Sequence, residues 1–204
     1  MRNRVPRSHP GRRLAHDARL AHPRRGTPDP LPLSELDHRL QHWIVLHRAG
    51  WLDPVCEGLS AVGTLGAVWL VLALALALLR GRRGLLVATV VALAVAELAA
   101  RGLQAGVGRS RPPLQTPDPA PLVHVPHTGS LPSGHAATSF AAATLLALVL
   151  PRLAVPAAVL ALAVALSRLY LGVHYPLDAV AGAVLGVAIG FAVRGVARRA
   201  GLRL

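Results

Sequence analysis

His174 and Asp178 stand four residues apart, where one apolar run of the sequence gives way to the next. Pro176 disfavours helix for the residue before it and suits the first position of a new helix, so we expect His174 in the turn and Asp178 in the first helical turn. A carboxylate on one ring nitrogen fixes the imidazole tautomer and leaves the other nitrogen free to attack an electrophile. The alternative is an aspartate that only complements the helix dipole beside a surface histidine.

A second cluster predicts an anion-binding helix start. Ser133 is a natural N-cap before an apolar run, and the unpaired amides of the first turn, with the helix dipole, suit a phosphate. Gly134 lets the backbone approach an oxyanion closely, and His135 could donate a proton to an oxygen of the same group. The alternative is a capped helix with an incidental histidine.

Arginines flank both clusters. Arg109 and Arg111 follow Gln104 at the end of another apolar run, and Arg168 lies just before His174. Guanidinium groups bind phosphate oxygens in a bidentate manner, although Arg109 and Arg111 could equally be a charged loop flank. Nucleophile, acid, orienting carboxylate, arginines and helix N-terminus are together the parts that phosphoryl transfer requires. This chemistry needs no metal and no cofactor.

Membrane helices are the elements predicted to hold these residues. Of the 204 residues, 53% are hydrophobic, and several apolar runs carry no charge. We therefore predict an all-α, polytopic membrane helix bundle with five transmembrane helices. The five runs lie at about 59–79, 84–103, 135–150, 153–173 and 176–193.

The N-terminal part of the chain is predicted to divide in two. Residues 1–31 mix arginine, histidine, proline and glycine and form a disordered basic arm, ahead of a membrane-embedded domain at residues 32–204. That domain begins with an amphipathic interfacial helix at residues 32–50, with Ser34 as its N-cap. Deeper insertion of this helix would make it a sixth span. Its apolar face is formed by Leu36, Leu40, Trp43 and Leu46 or His47.

The basic charge fits membrane topology better than a nucleic-acid partner. The formal charge is +13, and the arginines lie in the arm, the short loops and the tail. Those loops and the tail should be cytoplasmic, which places both polar loops on the extracytoplasmic face of the plasma membrane. With five spans the arm then lies outside, against the positive-inside tendency. The arginines concerned are Arg80, Arg82, Arg83, Arg152, Arg194, Arg198, Arg199 and Arg203.

At these motifs the chain resembles the type-2 phosphatidic-acid phosphatase superfamily, whose signatures are Lys-x6-Arg-Pro, Pro-Ser-Gly-His and Ser-Arg-x5-His-x3-Asp. The second and third match in full. The resemblance implies that His174 becomes phosphorylated, that His135 protonates the leaving group and that Asp178 orients the nucleophile. It also implies a set of phosphate-binding residues, namely Arg111, Ser133, Gly134 and Arg168.

Gln104 departs from the family pattern, which has lysine at this position. We expect Arg109 to supply the missing charge, as the nearest free cation, because Arg101 should pair with Glu97 one turn earlier in the helix. On this reading Arg109 and Gln104 both face the phosphate.

The expected function is a metal-independent phosphatase that takes a lipid phosphate from the bilayer. By resemblance, the candidate substrates are polyprenyl diphosphate, phosphatidic acid and phosphatidylglycerol phosphate. The proline-rich loop at residues 112–129 is either a lid over the headgroup or a stiff linker. The alternative function is a weak or inactive phospholipid-binding or transport protein on the same fold, although such a protein has no use for an acid, a nucleophile and its orienting carboxylate.

Overall fold

The structure, a computed structural model, describes residues 32–204 and contains helices and no strand in that range. The predicted all-α fold is therefore confirmed, whereas the disordered arm predicted at residues 1–31 lies outside the described residues. The helices are α1 (Pro32–Leu46), α2 (Asp53–Gly63), α3 (Ala67–Arg80), α4 (Arg83–Val107), α5 (Pro112–Gln115), α6 (Gly134–Val149), α7 (Ala154–Tyr170) and α8 (Pro176–Arg199).

Four helical stretches of the described chain are long and apolar enough to cross a membrane. Helix α6, the remaining predicted span, is shorter, with 16 residues. Its alanine-rich surface is largely buried, because it packs against α4, α7 and α8 at the centre of the bundle. The four long stretches are Asp53–Arg80, Arg83–Gln115, Pro151–Tyr170 and Pro176–Arg199.

The first predicted span is not one continuous helix. It begins earlier than expected, at Asp53, and a short 3-10 turn at Thr64–Gly66 separates α2 from α3. Leu65 and Gly66 have positive φ angles of 52° and 70°, and a Cβ atom on Gly66 would lie 2.6 Å from Leu93. The break therefore depends on a glycine that both turns the chain and lets it pass close to α4.

Helices α6 and α8 are held together by a glycine seam formed by Gly182, Gly186 and Gly190. A Cβ atom on Gly182 would lie 2.4 Å from the Ser133 carbonyl oxygen, and one on Gly186 would lie 2.3 Å from the Ala137 carbonyl oxygen. Small residues at four-residue spacing let two membrane helices meet backbone to backbone. This seam fixes the start of α6 against the start of α8, where the two histidine motifs lie.

Helix α1 is amphipathic as predicted, and its polar face lies against the protein. Leu36 and Trp43 are 53% and 59% exposed, whereas Asp37 and Gln41 are each 2% exposed. The Gln41 amide donates to the Leu169 carbonyl at 2.9 Å, so α1 lies against the junction of α7 and α8. This position fits an interfacial helix, and α1 is not among the described stretches long enough to span.

The predicted N-cap of α1 is wrong. Ser34 lies inside the first turn of Pro32–Leu46 instead of preceding it. The proline at residue 32 suits a first helical turn, because its missing amide is one that the helix would leave unpaired. The preference of proline for the first helical turn therefore sets the start of α1, and the capping preference of Ser34 does not.

Candidate active site

The predicted nucleophile and its carboxylate meet as the sequence suggested. His174 lies in the turn between α7 and α8, and its Nδ1 is 3.4 Å from Oδ2 of Asp178. The same Oδ2 accepts a hydrogen bond from the Tyr175 amide at 2.9 Å, which holds the carboxylate in the first turn of α8. Because the carboxylate faces Nδ1, that nitrogen carries the proton and Nε2 carries the lone pair.

Arg111 contacts the other side of the His174 ring. Its Nη1 lies 3.0 Å from Nε2 of His174 and donates to the Val173 carbonyl at the same distance of 3.0 Å. Nη2 also donates to the Gly129 carbonyl at 3.0 Å. Arg111 therefore joins the end of the 112–129 loop to the turn that carries His174.

The surroundings keep His174 neutral. Its side chain is almost fully buried, and this burial lowers its pKa from 6.5 to about 4, against the opposing effect of Asp178. Arg111 and Arg168 lower the pKa further. A neutral imidazole has the free electron pair that a nucleophile requires.

The predicted N-cap of α6 is confirmed. The Ser133 hydroxyl accepts from the Ala136 amide at 3.5 Å, and the Ser133 amide donates to the Asp178 carbonyl at 2.9 Å. The second bond links the α6 start directly to the α8 start. Gly134 lines the cavity at this helix end, and a Cβ atom there would lie 3.3 Å from a Glu97 carboxylate oxygen.

His135 lies across the same cavity, and its partner is a residue that the sequence reasoning missed. Nε2 of His135 is 3.3 Å from the carbonyl oxygen of Ser60, which only accepts, so this nitrogen carries a proton. The Ser60 hydroxyl accepts in turn from Nη1 of Arg168. A serine within an otherwise apolar run, three residues before Gly63, was the available signal.

Arg168 lies at the cavity with spare donor capacity. It is 5% exposed, and its buried Nε has no hydrogen-bond partner among the described residues. An unpaired buried donor is costly, and such groups are found where a ligand completes the bonding. This is the arrangement that a phosphate-binding arginine should have.

Arg109 requires a correction. It is not a free cation, because its Nη1 lies 2.7 Å from Oδ1 of Asp178 and its Nη2 lies 2.5 Å from Oδ2 of Asp37. Its guanidinium also lies over the Tyr175 ring, 4.2 Å from the ring centre. These contacts come from two elements that are distant from Arg109 in sequence, α1 and the start of α8, which is why the motif did not reveal them.

The wall of α4 carries the position where the family has lysine. Gln104 is buried, and its Nε2 donates to the Pro132 carbonyl at 2.8 Å, next to the α6 cap. The predicted pairing of Glu97 with Arg101 is confirmed, at 2.6 Å. These three α4 side chains line the same cavity, so α4 presents one cation, one anion and one neutral amide to it.

The cavity itself has a volume of about 290 Å³. His174, His135, Arg111, Arg168, Gly134 and Gln104 all line it, together with Thr128 of the loop at residues 112–129. Arg109, Ser133 and Asp178 do not line it: Ser133 caps α6 behind its wall, and Asp178 faces Nδ1 of His174 from behind. Fold and site together describe an integral membrane protein with an arginine- and histidine-lined cavity at one end of its helix bundle.

Comparison with known proteins identifies the class. Residues 84–201 match the model of the PAP2 superfamily. A decaprenylphosphoryl-5-phosphoribose phosphatase of Mycobacterium tuberculosis is 40% identical over 158 residues, covering 74% of this chain and 84% of that protein. A protein of the same name from Mycolicibacterium smegmatis is 43% identical over 128 residues, covering 62% and 68% of the two chains.

Solved structures agree on the fold. The PAP2-type phosphatidylglycerolphosphate phosphatase of Bacillus subtilis has a TM-score of 0.69 and 27% identity, covering 84% of this chain and 89% of that one. The LpxE structure of Aquifex aeolicus, with a TM-score of 0.65 and 24% identity over 78% and 94% of the two chains, supports the fold alone. The chain belongs to the PAP2 superfamily, and it is a membrane-embedded phosphatase of lipid phosphates.

Proposed function

We propose that the protein removes the terminal phosphate from a sugar phosphate attached to a polyprenyl phosphate, through a phosphohistidine on His174. The observation that carries this proposal is the orientation of His174. Its Nε2 is the nitrogen opposite the Asp178 carboxylate, and the ring lines a cavity that also holds the α6 N-terminus and His135. The relatives named above supply the substrate class.

The reaction proceeds in two displacements. Nε2 of His174 attacks the phosphorus atom and the bond from phosphorus to the sugar oxygen breaks. His135, protonated as the imidazolium beside the anionic substrate, gives one proton to that oxygen and becomes neutral. Arg168 and the amides at the start of α6 hold equatorial oxygens of the phosphate, together with Arg111, whose Nη1 exchanges its contact with Nε2 of His174 for a phosphate oxygen and so frees Nε2 to attack. A water molecule then attacks the phosphohistidine, neutral His135 takes its proton, and inorganic phosphate leaves.

The α4 wall favours a hydroxyl-bearing headgroup over a bare diphosphate. Glu97 and its partner Arg101 leave this wall without a net positive charge to bind a second phosphate, whereas a carboxylate and an amide can bond to sugar hydroxyls. Gln104 in place of lysine removes one positive charge from the same wall. A phosphorylated sugar on a polyprenyl carrier, the substrate class that the relatives add to the three candidates, therefore fits this wall better than polyprenyl diphosphate or phosphatidic acid.

We place the site on the extracytoplasmic face of the plasma membrane. The Arg82 guanidinium donates to the carbonyl of Leu204 at 2.7 Å, so the arginine-rich α3–α4 turn and the C-terminal tail lie together. The active-site loops join the other ends of these helices. The positive-inside tendency then puts the active site outside, and α1 lies at the same end as the site.

The decisive experiment is an assay of the purified protein in detergent, with a chelator present, against four lipids. These are decaprenylphosphoryl-5-phosphoribose, phosphatidic acid, phosphatidylglycerol phosphate and a polyprenyl diphosphate. We expect the phosphoribosyl lipid to give the highest kcat/KM, and rapid acid-free quenching to trap a base-stable phosphoprotein absent from His174→Ala. Chelator-sensitive turnover restored by magnesium, or phosphate release without a trapped intermediate, would contradict the mechanism.

A further inference from the structure

A second carboxylate lies behind the nucleophile, on a helix that the three family motifs do not include. Asp37 of α1 lies 2.5 Å from Nη2 of Arg109, and Nη1 of the same guanidinium lies 2.7 Å from Asp178. Arg109 thus joins a carboxylate of the interfacial helix to the carboxylate that faces His174. The chain of contacts runs from Asp37 through Arg109 and Asp178 to His174.

Asp37 also contacts the start of α8 directly. Its Oδ1 accepts a hydrogen bond from the Leu177 amide at 2.8 Å. This amide belongs to the first turn of α8, where amides have no partner within the helix. Asp37 therefore satisfies a backbone donor one residue before Asp178, and it holds the helix turn that carries the orienting carboxylate.

Burial makes these contacts matter energetically. Asp37 is 2% exposed and Asp178 is fully buried, while the Arg109 side chain is 18% exposed. Charges so poorly solvated act on one another far more strongly than charges in water. Two carboxylates share one guanidinium, so the charge on Asp37 sets how much of the Arg109 charge is left to offset Asp178.

We propose that Asp37 is a positioning residue for the nucleophile, which acts on His174 through Arg109 and the Leu177 amide. Helix α1 is then a part of the active site and not only a membrane anchor. The inference rests on the proposed role of His174 as nucleophile. Arg109 belongs to the same network, which gives it a role other than the phosphate contact expected from the motif.

The test compares two substitutions of opposite charge effect. Asp37→Asn keeps an acceptor for the Leu177 amide and removes one negative charge, whereas Arg109→Gln removes the positive charge. We expect Asp37→Asn to lower kcat roughly tenfold with KM within about twofold of wild type, because the phosphate contacts are untouched. The assay uses the full-length protein in detergent and its best lipid substrate.

The pH profile separates positioning from simple support. The titratable or charged groups around His174 are Asp178, Arg111, Arg168 and His135. Without the Asp37 charge, Arg109 offsets Asp178 more fully, so the acid limb of kcat should move to lower pH. Without Arg109, Asp178 acts unopposed, and the acid limb should move to higher pH.

Gln41 provides the matched control. It lies on the same buried face of α1 and donates to the Leu169 carbonyl, whereas the hydrogen bonds of the Arg109 side chain go to Asp37 and Asp178. Gln41→Ala should loosen α1 while leaving the acid limb in place. Asp37→Glu, which keeps the charge, should also leave the limb in place even if it lowers stability.

Three results would overturn the inference: an unchanged kcat in Asp37→Asn, a shift of the acid limb in the same direction for Asp37→Asn and Arg109→Gln, or an equal shift in Gln41→Ala. The underlying proposal is judged separately by His174→Ala. Retained turnover in His174→Ala would show that His174 is not the nucleophile. Loss of turnover in His174→Ala, together with an acid limb in Asp37→Asn at the same pH as in wild type, would contradict only the role of Asp37.

Discussion

The two sides of the cavity differ in how completely their polar groups are bonded. On the nucleophile side, His174 faces Asp178 with one ring nitrogen and Arg111 with the other. On the acid side, His135 has one long contact of 3.3 Å to a carbonyl, and Arg168 keeps an unpaired Nε. In the proposed mechanism, His174 is therefore held in place before substrate arrives, while the side of His135 and Arg168 keeps donors for the phosphate and the leaving oxygen.

The largest effects should come from removing the two histidines. We expect His174→Ala and His135→Ala each to lower kcat by about 10³-fold or more on the natural lipid, because the nucleophile and the acid act in series. Both variants should fold, which near-native thermal unfolding in detergent would verify. Activity near wild type in either variant would remove that residue from the mechanism.

A substrate with a good leaving group sharpens this contrast. An aryl phosphate ester with an acidic phenol needs little protonation, so His135→Ala should recover much of its loss on it, while His174→Ala should recover none. Equal losses for both variants on the aryl ester would show that the two sides of the cavity do not divide the roles of nucleophile and acid in this way.

Much of this site could be predicted because its residues act over short stretches of chain. The Ser133 cap and the contact of His174 with Asp178 depend on neighbours within four residues, and the pair of Glu97 with Arg101 depends on one helical turn. Helical periodicity and capping chemistry determine such contacts locally. The apolar runs also gave the helices of the bundle, apart from the break at Thr64–Gly66.

The missed features depend on tertiary packing. Ser60 meets Arg168, 108 positions away in sequence, and Asp37 meets Leu177 across 140 positions. The only signals were a serine within an apolar run and an aspartate on an amphipathic helix, and both are too common to identify a partner far away in the sequence. Arg109 was expected at the phosphate because its loop position was visible and its two carboxylate partners were not.

An intermediate effect should come from Arg168, the acid-side arginine with the unpaired donor. Arg168→Lys keeps a charge but removes the planar fork, so we expect KM to rise and kcat/KM to fall by roughly 10-fold to 100-fold. Inhibition by vanadate should weaken in parallel, since the vanadate oxygens would take the positions of the phosphate oxygens that Arg168 binds. Unchanged vanadate inhibition would mean that Arg168 only supports Ser60.

A smaller effect concerns pH. The pKa of His174 is lowered to about 4, so its neutral form persists well below pH 6.5, and protonation removes the nucleophile only as the pH falls through about 4. On the aryl phosphate ester, which needs little protonation by His135, kcat/KM corrected for substrate ionisation should therefore change by less than about threefold between pH 7.5 and 5.5. An acid limb near pH 6.5 that remains after the correction for substrate ionisation would belong to an enzyme group. It would show that His174 is more exposed to water than its burial implies.

The smallest effect, and the one that tests substrate choice, concerns Gln104. Its amide bonds to the Pro132 carbonyl at 2.8 Å, and a lysine could keep that bond while adding a positive charge to the cavity wall. We expect Gln104→Lys to raise kcat/KM a few-fold on a diphosphate and to leave it level or lower on a phosphoribosyl lipid, because added charge favours the more anionic headgroup. Gln104→Met, of similar size without the donor, is the control: it removes the bond to Pro132 without adding charge and should lower activity on both lipids alike. If Gln104→Lys raises kcat/KM equally on both substrates, the wall of α4 does not select the headgroup. If Gln104→Lys lowers kcat/KM on both substrates, as Gln104→Met is expected to do, the amide acts by holding the turn before α6 and not by setting the charge of the cavity.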